Sequence, residues 1–129
     1  MDTLALVKAW HHHFRVPVLD EPALPRQRAQ MRLSILEEEV RELREAAEAG
    51  DIVEVLDALC DIQYVLDGTF LEFGLHKHKQ AAFNEVHSSN MSKLGEDGQP
   101  LLREDGKVLK GPNFSPPDLA GILFGKKVA

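Results

Sequence analysis

Residues 27–73 contain no proline and only two glycines, Gly50 and Gly68. The first half of this stretch is dominated by Ala, Leu, Glu and Arg, the residues that lose least on entering a helix. A segment this long without a breaker commits the chain to helices. Gly50 followed by Asp51 supplies the one clear interruption, a helix-ending glycine and then a capping aspartate. The reading is two long helices, 27–49 and 52–73, joined by a tight turn and therefore antiparallel. Gly68 costs about 1 kcal/mol relative to alanine inside a helix, so its presence signals close packing at that point.

The flanks follow from similar punctuation. Asp2 or Thr3 can cap a short helix ending near Phe14, and Pro17, Pro22 and Pro25 make the next segment an extended connector. A third main helix is expected over 77–91. Beyond Lys93 glycines and prolines accumulate, and Asp105-Gly106 sits between two short apolar arms, which predicts a hairpin. Residues 113–119 read as an ordered loop and 120–124 as a final turn. The expectation is a single all-α domain over 1–129, an antiparallel helical bundle of four-helix type completed within the chain or by a partner. Its helical body covers about 1–93 and its glycine- and proline-rich tail about 94–129.

Composition removes several functions. With 21 Asp and Glu against 15 Lys and Arg, the formal charge is −6, and no basic footprint for nucleic acid or an anionic membrane is present. No apolar run is long enough to span a bilayer. Met1 to Trp10 lacks a basic start followed by a long apolar run, so a secretory leader is not expected. A lone cysteine cannot close an internal disulfide, which suits a reduced, cytoplasmic chain.

The carboxylates are not spread evenly. Glu38, Glu39 and Glu42 fall together on a helical wheel, because residues three and four apart are neighbours. Met31 and Ile35 lie on the same face one and two turns earlier, which a wholly solvated face would not need. In the second long helix Glu54, Asp57 and Asp61 form one acidic stripe, while Ile52, Val53, Val55, Leu56, Leu59, Cys60, Ile62, Tyr64 and Leu66 take most of the remaining arc. A helix apolar nearly all round is expected to be buried. Buried carboxylates must be protonated, paired or bound to metal. A solvated, salt-bridged face remains the plain alternative for each cluster taken alone. Two acidic clusters on consecutive antiparallel helices can converge on one cation, and hard oxygen ligands suit Mg²⁺ or Mn²⁺.

These residues resemble the all-α nucleoside triphosphate pyrophosphatases, the superfamily of the MazG-like proteins, dimeric dUTPases and phosphoribosyl-ATP pyrophosphohydrolase. Glu38-Glu39-Val40-Arg41-Glu42 matches the Glu-Glu-x-x-Glu signature and Glu54-Val55-Leu56-Asp57 the Glu-x-x-Asp signature. The likeness extends through Arg32–Glu42, Asp57–Gly68, Phe83–Lys93, Gly106–Asn113 and Pro117–Leu119, toward a phosphoribosyl-ATP-pyrophosphohydrolase-like or MazG-like subgroup. It implies Mg²⁺-dependent hydrolysis of a nucleotide between its α and β phosphates, giving a monophosphate and pyrophosphate. By the same match Glu38, Glu39, Glu42, Glu54 and Asp57 are metal-site candidates. Glu39 is chosen to orient or deprotonate the attacking water. Asp61, placed by the helical wheel, is a further acid, either on the metal or behind the site. The resemblance also implies a homodimer or dimer of dimers. The lean among substrates is a deoxynucleotide such as dUTP, with phosphoribosyl-ATP as the alternative.

A polyphosphate also needs cations from the protein. Lys93 and Lys110 are the candidates, with Lys107 behind them, and Asn84 and Asn90 can contact phosphate, sugar or base. The third helix and the tail would then form a nucleotide lid. The consecutive His11, His12 and His13 point three ways on a helix and make no metal site. Cys60 reads as a small buried hydrophobe and Phe114 as a loop anchor. A di-iron carboxylate site would need Glu-x-x-His pairs, which are absent. A non-catalytic helical interaction module is the remaining alternative, and it leaves the acids of the second helix unexplained.

Overall fold

The computed structural model describes residues 2–125. The chain falls into two compact units, residues 1–77 and 78–129.

The first unit is built on three helices, α1 (Thr3–Phe14), α2 (Arg26–Glu48) and α3 (Ile52–Glu72). Asp2 caps α1 by accepting from the Ala5 amide at 2.8 Å. Pro25 sits at the start of α2, where its missing N–H is not needed. Ala49 closes α2, and Gly50 takes a left-handed φ of 68°. Asp51 then caps α3 by accepting from the Glu54 amide at 3.2 Å. The two long helices pair antiparallel along their length, and α1 packs on α3.

The connector over 16–25 is tied to the far end of α3. Leu19 N–H donates to the Leu71 carbonyl at 3.0 Å and Ala23 N–H to the Phe73 carbonyl at 2.9 Å, using acceptors at the C-terminal end of the helix. Gly74, with φ 66°, ends this run, and a side chain there would collide with the Glu21 backbone.

The interior of this unit is unusual in composition. Its buried apolar side chains are Val7, Ala46, Ala58 and Leu71, while His11, Arg32, Asp67, Glu72 and His76 are buried polar ones. Small residues let α2 and α3 approach closely near the turn, and charged residues fill the other end. The expectation that α3 is buried all round fails. Ile52 is 76% exposed, and Val53, Leu56, Leu59 and Tyr64 are exposed as well. Cys60 is likewise exposed, not buried as its apolar arc suggested.

The second unit holds α4 (Lys79–Met91) and the short α5 (Leu119–Phe124). A turn of 3₁₀-helix over His76–His78 precedes α4, so the α-helix itself begins two residues later than the expected 77. Between the two helices the chain makes one isolated antiparallel bridge, Leu102 with Val108, around the Gly106 turn. No strand ladder forms among the described residues. Ser92 Oγ accepts from the Ser115 amide at 2.9 Å, and Glu85 Oε1 accepts from the Asp118 amide at 3.0 Å, tying the tail to α4.

Candidate metal centre

Pairing α2 against α3 brings three acids from two helices together. One oxygen each from Glu39, Glu42 and Asp61 lies within 4.8 Å of the others. Glu39 and Glu42 are three residues apart on α2 and so share a face. Asp61 reaches them from α3. Glu39 and Asp61 are half-buried and Glu42 is exposed.

The electrostatics are those of a site without a counter-ion. Glu39 Oε2 is shielded from solvent and has no hydrogen-bond partner. Burial pushes the Glu39 carboxyl up to about 7, reinforced by neighbouring Glu42 and then by Asp61 and Glu38. Asp61 is raised too, first by burial and then by the charges of Asp57 and Glu42. No Lys or Arg makes an ion pair with these three among the described residues. An orphaned, shielded carboxylate oxygen beside two more acids is a donor set that fits a hard divalent cation.

Two cavities flank the acids. A cleft of about 380 Å³ is lined by Glu42, Glu45, Asp51, Glu54 and Asp57 with Ala46, Ala49 and Ala58 at its back. The other, about 330 Å³, is lined by Trp10, His11, Arg32, Ile35, Tyr64 and Val65, with Asp61 at its edge. Trp10 stacks on Phe14 with ring centroids 4.7 Å apart and meets Tyr64 edge-on at 6.1 Å. A carboxylate cluster thus lies between an acidic cleft and an aromatic one.

The candidates named from the sequence are distributed as follows. Glu39, Glu42 and Asp61 converge. Glu38 is exposed and outside the cluster, although its charge is felt by Glu39. Glu54 and Asp57 line the acidic cleft and do not join the three. Asn84, Asn90, Lys93 and Lys110 belong to the second unit. There Asn84 accepts from Gln80 at 2.9 Å, and the Lys93 carbonyl accepts from the Gly111 amide at 2.8 Å. Lys110 Nζ lies 4.7 Å above the half-buried Phe114 ring, so that ring holds a lysine.

Sequence reasoning missed a second charged group. Glu72, buried on α3, accepts from Arg28 Nε at 2.6 Å and Nη2 at 2.9 Å, and from Arg32 Nη1 at 2.9 Å. Arg32 also donates through Nε to Thr69 Oγ1 and through Nη2 to the Val65 carbonyl. The available signal was a glutamate inside the apolar run after Gly68, with arginines four apart on the preceding helix.

The family comparison agrees with the residues. The sequence pattern of the phosphoribosyl-ATP pyrophosphohydrolase family matches residues 7–90, which contain all six acids. A solved structure described as a "putative NTP pyrophosphohydrolase" from Exiguobacterium sp. 255-15 is 29% identical, over 93% of this chain and 91% of that one, with a TM-score of 0.47. No curated protein matches.

Proposed function

The chain belongs to the phosphoribosyl-ATP pyrophosphohydrolase family, and from that premise we propose that it is a Mg²⁺-dependent nucleotide pyrophosphohydrolase. Its reaction is attack of water on a nucleoside triphosphate between the α and β phosphates, releasing a monophosphate and pyrophosphate. The observation that carries this reading is the unpartnered Glu39 oxygen within a three-acid cluster that no basic side chain among the described residues neutralises.

Glu39, Glu42 and Asp61 would hold the cation, with Glu38, Glu54 and Asp57 adding negative charge around it. When bound, Mg²⁺ would neutralise the triphosphate and lower the pKa of its water, with Mn²⁺ as a substitute. The protein's own work is positioning. Glu39, with an oxygen free of other partners, is the acid to orient the attacking water or take its proton. The aromatic cavity beyond Asp61 would seat the base, since Trp10 and Tyr64 offer flat apolar contact. Asn84, Asn90, Lys93 and Lys110 are proposed to contact the phosphates or sugar. The assembly is proposed to be a homodimer or dimer of dimers, working in the cytoplasm.

Substrate identity divides into two readings. A deoxynucleotide such as dUTP fits a house-cleaning role. Phosphoribosyl-ATP is favoured by the family match itself. Purified protein with Mg²⁺ and a panel containing the common and non-standard (d)NTPs and phosphoribosyl-ATP separates them. Equal yields of pyrophosphate and monophosphate are expected from at least one compound. No pyrophosphate from any of them overturns the hydrolase reading and leaves the non-catalytic module.

A further inference from the structure

The acids of α2 and α3 must be held to within a fraction of an ångström of one arrangement to share a cation, because loosely held sites lose their ligand geometry. One tie between the helices is the turn, where Asp51 N–H donates to the Ala46 carbonyl at 3.1 Å. A hairpin tied at one end alone can splay and rotate at the other. The apolar core offers little to prevent this, since Ala46 and Ala58 near the turn and Leu71 at the far end are its buried members on α2 and α3.

The second tie is polar. Arg32 on α2 reaches across Gly68 of α3 to bond Val65, Thr69 and Glu72 at once. Arg28 holds the same Glu72 carboxylate from one turn earlier. Arg32 is 6% exposed and Glu72 1%, so the pair is closed to water. A Cβ at Gly68 would overlap Arg32 Nη2 and come 2.9 Å from His11 Nε2. The glycine is therefore the seat of the guanidinium.

The spacing links this tie to the acids. Glu39 follows Arg32 by seven residues on α2, and Asp61 precedes Gly68 by seven on α3. Seven residues are two helical turns, about 10 Å, on both helices. The same face that presents the arginine therefore presents the acid. The turn and the clamp bracket the cluster from either end. Buried ion pairs contribute little net stability, and their best-attested use is to fix one arrangement against others.

We propose that Arg28, Arg32 and Glu72, seated on Gly68, are positioning residues that hold Glu39 and Glu42 in register with Asp61. The proposal rests on the metal-binding reading above. It concerns metal affinity before nucleotide binds, which separates it from any effect of Arg32 on the aromatic cavity.

Gly68→Ala is the first test. Alanine favours helix over glycine by about 1 kcal/mol, which offsets part of the cost when the clash moves the arginine head. Mn²⁺ affinity without nucleotide, measured well below the variant's own melting temperature, should fall at least tenfold. Wild-type affinity in a folded Gly68→Ala protein overturns the proposal. The second test, Arg32→Met with Glu72→Leu, replaces the pair by apolar groups that leave stability roughly unchanged. It should lose Mn²⁺ affinity in the same way, and wild-type affinity again overturns the proposal. Unfolding of both variants would make the clamp a stability element alone and equally overturn it. Pulsed electron paramagnetic resonance between spin labels at Leu33 and Leu56, in a Cys60→Ser background, reads the helix pairing directly. A broadened or shifted distance in Gly68→Ala supports the clamp even if the wild type binds no Mn²⁺, a result that would sink the metal reading instead. An unchanged distance overturns the clamp.

Discussion

The two ends of the α2–α3 pair handle buried carboxylates in opposite ways. At the far end, Glu72 loses its water entirely and gains two arginines in return, with both oxygens occupied. About three turns nearer the hairpin, at the level of Asp61, Glu39 is also shielded at Oε2 but receives no donor, and its neighbours are two more acids. The two helices and the kind of side chain are the same. What differs is whether the counter-charge is built into the chain. A carboxylate closed by arginine is finished structure, while one closed by other carboxylates must bind a proton or a cation. Proposals about function belong to the second kind.

The sharpest way to break this contrast is to remove one partner at the finished end. Glu72→Gln leaves Arg28 and Arg32 facing each other without an anion, Arg32 being buried. Losing one member of such a group costs about 3–5 kcal/mol. Urea denaturation is the measurement, and a variant as stable as the wild type would show that the arginines find water or another acceptor. At the open end the same chemistry runs the other way. Glu39→Gln or Asp61→Asn removes like-charge repulsion, so melting temperature should hold or rise without metal. Pyrophosphate release should nevertheless fall about 10²–10³-fold, the usual loss when one electrostatic contributor to a transition state is removed. A variant that kept its turnover would return the cluster to ordinary surface.

pH sharpens the comparison further. The Glu39 carboxyl, ordinarily near 4.5, sits at about 7 in the folded chain. Because the folded value is raised, this group stabilises the fold below pH 4.5 and that contribution is lost as pH rises through 7. His11 and His76 act in the opposite sense. Burial lowers both below the ordinary 6.5, so each costs stability as pH falls through that value. The overall pH dependence of melting therefore mixes the two. The difference made by Mg²⁺ isolates the acids, since the cation must displace the Glu39 proton. Apparent Mg²⁺ affinity should tighten about tenfold from pH 6 to pH 8, in proportion to the ionised fraction of a group near 7. In Glu39→Gln that slope should largely disappear.

The sequence made the open end legible and hid the closed one, for a physical reason. Glu39 and Glu42 fall on one face by helical periodicity, and the Gly50-Asp51 turn makes α2 and α3 antiparallel, so convergence of acids could be foreseen. Which acid on α3 completes the trio depends on axial register. Glu54, Asp57 and Asp61 share a stripe, and the cluster takes Asp61, the one farthest from the turn. Periodicity alone carries no axial coordinate. Glu72 was invisible because it sits in an apolar run and pairs with residues 40 and 44 positions away. Exposure of the apolar face of α3 escaped for a related reason, because a wheel says which face is apolar and not what lies against it.

The smallest effect expected is at the turn that ties the helices beside the cluster. Asp51 plays two parts there. Its Oδ1 caps α3, and its charge lines the acidic cleft with Glu42, Glu45, Glu54 and Asp57. Substituting both parts away with Asp51→Ala should cost about 1 kcal/mol, the usual worth of an N-cap. Asn caps as well as Asp, so Asp51→Asn keeps the cap and deletes only the charge. Melting temperature should therefore drop in the alanine variant and hold in the asparagine one. If the cleft merely borders the metal centre, Mn²⁺ affinity in Asp51→Asn changes less than threefold, in keeping with a screened surface charge. A tenfold loss there, with the fold intact, would extend the cation site from the three converging acids into the cleft, and Glu54 and Asp57 would regain the ligand role that their positions outside the cluster do not give them.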